Sequence, residues 1–159
     1  MKNPRMFFVL ALLSVVFILG ASIYLQFSMH LELCGLCISQ RVLFLIMALI
    51  LCAAIVHQRH ARAYASLIII FSLAGIYFAG RQVWLEHLPK EQLPGCGPNL
   101  SILLTHFPMK AARELFVGSA ECGSVVWQFL GLSLAAWSLF CFIALLGFGI
   151  RQSLLKKGI

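Results

Sequence analysis

Polar and apolar positions fall into long blocks along this chain. Four runs carry no charge: 6–25, 42–56, 63–80 and 122–150. Every charged residue lies between or outside them. A helix of about 20 apolar residues crosses a hydrocarbon core ~30 Å thick. In lipid the backbone must satisfy its own hydrogen bonds, so continuous apolar runs mean helices. A barrel would need alternating strands of about ten residues, and the sequence offers none. The expected fold is an all-α membrane protein, a four-helix transmembrane bundle forming one integral domain over 1–159. The spans are approximately 6–27, 39–57, 63–80 and 126–150, with outward loops at approximately 28–38 and 81–125.

Run two is short. Fifteen residues at ~1.5 Å each give about 22 Å, so this helix is expected to start earlier, passing back through Arg41 toward Cys37. Run four is longer than a crossing needs, which puts its first turns, through Gly123 and Ser124, at or outside the interface. The second outward loop holds Pro89, Pro94, Pro98 and Pro108 and reads as irregular and turn-rich. Within it, 110–117 can form a short interfacial helix with Leu115 and Phe116 toward lipid, or a turn packed on the bundle. The basic start, Lys2 and Arg5, followed by Gly20, Ala21 and Ser22, also suits a cleaved signal segment. The apolar stretch continues through Ile23 to Leu25, which favours a retained helix.

Composition agrees with a membrane protein. Apolar residues make up 62% of the 159 and charged residues 11%, and mean hydropathy is +0.97. Soluble domains are about half apolar and about a quarter charged, and disorder needs the opposite bias. The net charge of +7 is not a nucleic-acid signal, because of where it sits. Lys2, Arg5, Arg59, Arg62, Arg151, Lys156 and Lys157 have no acidic neighbours in their segments. In the other two loops Arg41, Arg81, Lys90, Lys110 and Arg113 are balanced by Glu32, Glu86, Glu91, Glu114 and Glu121. Short basic loops stay on the cytoplasmic side. Both termini and the loop around Arg59 are therefore expected in the cytoplasm, and the loops around 28–41 and 81–121 outside.

This orientation sorts the six cysteines. Cys34 and Cys37 lie on the first outward loop, and Cys96 and Cys122 on the second. Cys52 and Cys141 fall within runs two and four and read as small apolar packing residues. The outer compartment permits disulfides. Cys34 and Cys37 form a Cys-x-x-Cys at the start of an apolar helix. Free N–H groups and partial positive charge at a helix N-terminus stabilise a thiolate. Arg41, four residues on, adds a full positive charge on the same face. The thiolate is the reactive form in exchange and redox chemistry. Cys96 and Cys122 flank the proline-rich segment, either as a static bridge or as a disulfide exposed to a partner's thiol. Four cysteines can also hold zinc, but structural zinc sites commonly use two close ligand pairs, and only one pair here is close. No metal is expected.

Arg41 at the membrane end of a helix either snorkels to the head groups or serves the cysteine pair. Its place one turn from Cys37 favours the second. Trp84 suits an interfacial anchor. His87 suits either the solvated rim or a proton role. His57 and His60 read as solvated cytoplasmic loop, and His30 and His106 carry no evident chemistry.

Taken together, Gln26, the run Cys34 to Cys37 with Arg41, His87 ahead of a loop containing Cys96, and the stretch 116–131 resemble the DsbB family of bacterial membrane thiol oxidases. The likeness covers most of the chain. Ser39 and Gln40 stand where familiar members often have a tyrosine and an acidic residue. The resemblance implies a disulfide-generating oxidoreductase of the bacterial inner membrane. It would reoxidise a periplasmic DsbA-like dithiol oxidase and pass the electrons to membrane quinone, ubiquinone or menaquinone. On that basis Cys96 would take the partner's thiolate, with Cys122 as its companion. Cys34 would exchange with that pair, and Cys37 would face the quinone. Arg41, His87 and Gln26 would line the quinone pocket. Beyond the lipid bilayer, that partner and quinone, no nucleic acid or second copy is expected, so the protein would be a monomer. Two other functions use the same residues: an electron carrier working in the reductive direction, and a non-catalytic membrane protein with structural disulfides or a metal site.

Overall fold

The structure is a computed structural model, and it describes residues 4–29, 34–57, 61–89, 109, 115–118, 120–123 and 128–154. Among the described residues four long helices dominate: α1 (Pro4–Met29), α2 (Gly35–His57), α3 (Ala61–Glu86) and α4 (Leu134–Leu154). Each is long and apolar enough to cross a membrane. They pack as an antiparallel bundle, α1 on α2, α2 on α3 and α3 on α4, with α4 closing back onto α1.

The interior is built from Phe8 and Val15 of α1, Phe44, Met47 and Leu51 of α2, Ile68 of α3, and Phe142 and Leu145 of α4. The outward face is just as apolar: Phe17, Leu49, Val56 and Ile70 are all exposed. A helix that is hydrophobic all round belongs in lipid. Helices α3 and α4 approach closely at Gly75, where a Cβ would collide with the Phe142 ring. That ring stacks on Phe44 with centroids 4.2 Å apart. At the end of the bundle away from Cys34, the Arg151 guanidinium sits 4.7 Å over the Phe7 ring, a cation–π contact.

Helix boundaries follow local chemistry. Helix α2 begins before Arg41, as its short apolar run requires. The Ile38 N–H donates to the Cys34 carbonyl at 3.2 Å, so Cys34 is the residue that caps α2. Helix α3 runs past Gly80 to Glu86. It ends in tight i→i+3 bonds, His87 to Trp84 and Leu88 to Leu85, just before Pro89.

Helix α4 starts at Leu134, well inside its apolar run. Ahead of it lies a two-stranded hairpin, β1 (Gln128–Phe129) and β2 (Leu132–Ser133), paired Gln128 to Ser133 and Phe129 to Leu132. Its turn needs positive φ at both central residues, and Leu130 (55°) and Gly131 (77°) supply it. The Ser133 hydroxyl accepts the Ala136 N–H at 3.2 Å and caps α4.

The remaining sequence expectations divide. Of the 110–117 segment, 115–117 are helical with Phe116 exposed, while 110–114 lie outside the described residues. Cys141 is buried, as expected for packing, but Cys52 is exposed on the lipid-facing surface. The apolar run alone did not say which side of α2 Cys52 would take.

Candidate functional site

Antiparallel packing brings the end of α1, the start of α2, the end of α3 and the start of α4 to one end of the bundle. The chemistry-bearing residues collect there. Cys34 is bonded to Cys122, a disulfide between residues 88 apart in sequence, with Cα atoms 5.2 Å apart. Cys37 is a free thiol, half-buried. The disulfide is covered: Cys34 is 5% exposed and Cys122 1%. It sits in a small apolar cluster with Leu36 and Leu85, and Phe78 and Leu88 pack against it.

Cys122 arrives on a short 3-10 turn, Ala120–Gly123. The segment before it is pressed onto the bundle. Gly118 has φ of 85°, and a Cβ there would lie 2.7 Å from Leu85 and 2.8 Å from Leu36. The backbone comes this close because no side chain intervenes. Two polar contacts hold the same segment. Arg81 Nε donates to the Val117 carbonyl at 3.2 Å, and Ser39 Oγ donates to the Leu115 carbonyl at 3.2 Å.

Cys37 and Arg41 share one face of α2 and line the same cleft, as the four-residue spacing requires. Arg41 is tied to α1 by three bonds. Its Nε donates to Ser22 Oγ at 2.8 Å, its Nη2 to the Ser22 carbonyl at 3.0 Å, and its Nη1 to Gln26 Oε1. Gln26 therefore touches the cleft through Arg41. Gln40 and Gln82 add amides to the same wall, and Gln82 lies against the Cys37 sulfur. Ile18, Leu19, Phe44 and Ala135 complete the lining.

His87 lies outside this cleft. It is exposed just past the end of α3, its Nδ1 2.8 Å from the Val83 carbonyl. Cys96 lies outside the described residues. No group of three or more His, Cys, Asp or Glu side chains gathers among the described residues. Two of the four cysteines considered for zinc are instead joined to each other.

Gln82 is the residue that sequence reasoning missed, because it follows Arg81 in what reads as a loop. A signal was present. Phe78, Gln82 and Leu85 recur at i, i+4 and i+7, the spacing of one helix face.

A profile described as "Disulfide bond formation protein DsbB" matches residues 4–151 of the chain. The chain belongs to the DsbB family. The Disulfide bond formation protein B of Methylococcus capsulatus is 42% identical over 156 residues, covering 96% of this chain and 95% of that one. Disulfide bond formation protein B 1 of Pseudomonas aeruginosa is 38% identical, with 97% of each chain covered. The Acinetobacter baumannii relative is 42% identical over 142 residues, covering 85% of this chain and 83% of its own. No solved structure matches. Members of the DsbB family are disulfide-forming membrane proteins, quinone-linked protein-disulfide oxidoreductases, and this chain is one of them. With four membrane-crossing helices it is a multi-pass inner-membrane protein.

Proposed function

We propose that this DsbB-family chain reoxidises a periplasmic DsbA-like dithiol oxidase through two cysteine pairs, with Cys37 delivering the electrons to quinone. The observation that carries the reading is the Cys34–Cys122 bond beside a free Cys37.

That arrangement is what exchange between the two pairs would produce. The resting enzyme has disulfides Cys34–Cys37 and Cys96–Cys122. A partner thiolate attacks Cys96, forming a mixed disulfide and releasing Cys122 as a thiolate. The Cys122 thiolate attacks Cys34, forming Cys34–Cys122 and releasing Cys37 as a thiolate. The partner's second thiolate displaces Cys96 and leaves the partner oxidised. Each step makes one S–S bond and breaks one. Removal of two electrons from Cys37 and Cys96 restores both starting disulfides.

When bound, quinone supplies the acceptor for two electrons and two protons. Cys37 stands where the helix N-terminus favours a thiolate, and Arg41 lines the same cleft. Arg41 and Gln40 would hold a carbonyl-bearing ring, and Gln26 and Ser22 hold Arg41 in place. His87, on the rim, would exchange protons with water. The basic segments around Arg59 and at both ends would face the cytoplasm and the cysteine end the periplasm, with the protein acting as a monomer.

The test is quinone consumption by detergent-purified protein, with a reduced thioredoxin-fold dithiol protein as donor. Ubiquinone and menaquinone are run side by side, with Cys37→Ser and Cys96→Ser as controls. Reduction of either quinone that is lost in both variants is the expected result. Reduction that survives in Cys37→Ser would overturn the assignment of Cys37.

A further inference from the structure

Two buried amides stand beside the Cys37 thiol. Gln40 is 5% exposed and Gln82 8%. Polar side chains facing the interior at the membrane end of a bundle are costly unless paired. These two pair with each other and with the sulfur. Gln40 Nε2 donates to Gln82 Oε1 at 2.7 Å. Gln82 Nε2 lies 3.2 Å from Cys37 Sγ, and Gln82 Oε1 lies 3.5 Å from it.

Donor and acceptor accounting orients the Gln82 amide. Its oxygen accepts and its nitrogen donates. The Gln40 N–H engages that oxygen, which leaves the nitrogen for the sulfur, and the nitrogen makes the shorter contact. A thiolate only accepts, and hydrogen bonds to a charged form stabilise it. The charged groups that act on the sulfur are Arg41 on its own helix and Glu86 on α3. From α1 and α4 the cleft receives Ser22 and Ser138, which are uncharged. An N–H from α3 thus complements the guanidinium from α2.

We propose that Gln82 is a positioning residue for Cys37, and that Gln40 fixes which end of its amide meets the sulfur. This rests on the reading of Cys37 as the thiolate that faces quinone. Gln82 aims the sulfur at the cleft and favours its anionic form before any quinone arrives.

The experiment uses full-length protein, reduced in detergent and free of quinone. Iodoacetamide labelling at pH 7 is followed separately at Cys37 and Cys34 by tandem mass spectrometry of the peptide that holds both. Gln82→Leu keeps the volume and removes the donor. Its Cys37 labelling rate is expected to fall about fivefold or more, while Cys34 is unchanged. Gln82→Glu, which presents only acceptors when ionised, is expected to fall at least as far. Gln40→Leu leaves Gln82 in place but frees its amide to turn, and should give a smaller fall at Cys37 alone.

Unchanged Cys37 labelling in Gln82→Leu would overturn the proposal. So would parallel falls at Cys37 and Cys34, which mark a loosened helix start. If Gln82→Leu does not fold, Gln40→Leu decides by the same comparison. Wild-type quinone reduction is measured alongside. Its absence counts against the role of Cys37, whereas its presence with unchanged labelling counts against Gln82 alone.

Discussion

The Arg41 guanidinium of α2 binds the Gln26 side-chain oxygen of α1, fifteen residues away in sequence. Together with two bonds to Ser22, this fixes a planar cation at the edge of the cleft that Cys37 lines. Lysine carries the charge but not the forked set of donors. Arg41→Lys is therefore expected to raise the quinone KM about tenfold, and Arg41→Ala further. Gln26→Leu should follow Arg41→Lys in direction with a smaller effect. His87→Ala, outside the cleft, should change KM least. Steady-state quinone reduction by the four variants checks the ranking.

The bond between Cys34 and Cys122 predicts a trappable species. Mixed with reduced partner in the absence of quinone, then acid-quenched and digested without reductant, the protein should yield a peptide linked through Cys34 and Cys122. Cys37 should then take up alkylating agent, as should Cys96 once the partner has left it. Cys122→Ser should abolish the linked peptide. A digest in which Cys34 stays bonded to Cys37 throughout would contradict the exchange.

Gly118 carries the second loop across Leu85 and Leu36 in a conformation that side chains resist. Gly118→Ala is expected to destabilise the docked segment by about 1–3 kcal/mol. The readouts are a lower melting temperature in detergent and slower formation of the Cys34–Cys122 peptide. Loss of the linked peptide without loss of secondary structure would locate the defect in docking, not in the bundle.

Gly75 and Phe142 set the spacing of α3 and α4. Gly75→Leu should prevent close packing and lower the melting temperature sharply. Phe142→Ala opens a cavity beside Phe44 and should cost about 3–5 kcal/mol. The pair Gly75→Ala with Phe142→Leu should be milder than the sum of its parts, because the two sites touch. Thermal melts of these proteins, with Gly75→Ala and Phe142→Leu each measured singly, test this.

Much of the architecture was legible because the membrane imposes a coarse code. Uncharged runs located all four helices, and the shortness of run two called for an earlier start; helix α2 begins at Gly35, four residues ahead of the expected span at 39–57. Helix α3 outran its apolar stretch because Arg81 and Gln82 satisfy their polar groups on Val117 and Gln40, not in water. Helix α4 began late because an apolar run does not tell a strand from a helix. Gly131, in the hairpin turn, was the mark to notice. The Cys-x-x-Cys of Cys34 and Cys37 was legible as a motif, but the joining of Cys34 to Cys122 was not legible from spacing. It depends on a loop folding back over the start of α2. The cleft's amides were hidden for the same reason, since a glutamine's worth is set by what stands opposite it.

Burial of the Cys34–Cys122 bridge has one more consequence. A thiol in the surrounding water must approach one sulfur along the S–S axis, and Leu36, Leu85 and the docked loop occupy the approaches. Small soluble thiols would then be kept from a bridge that is 5% exposed at Cys34 and 1% at Cys122. Under the proposed exchange the bridge would insulate the cycle: electrons committed by a protein substrate would be kept from passing solutes, and the open route would run through Cys37 into the membrane.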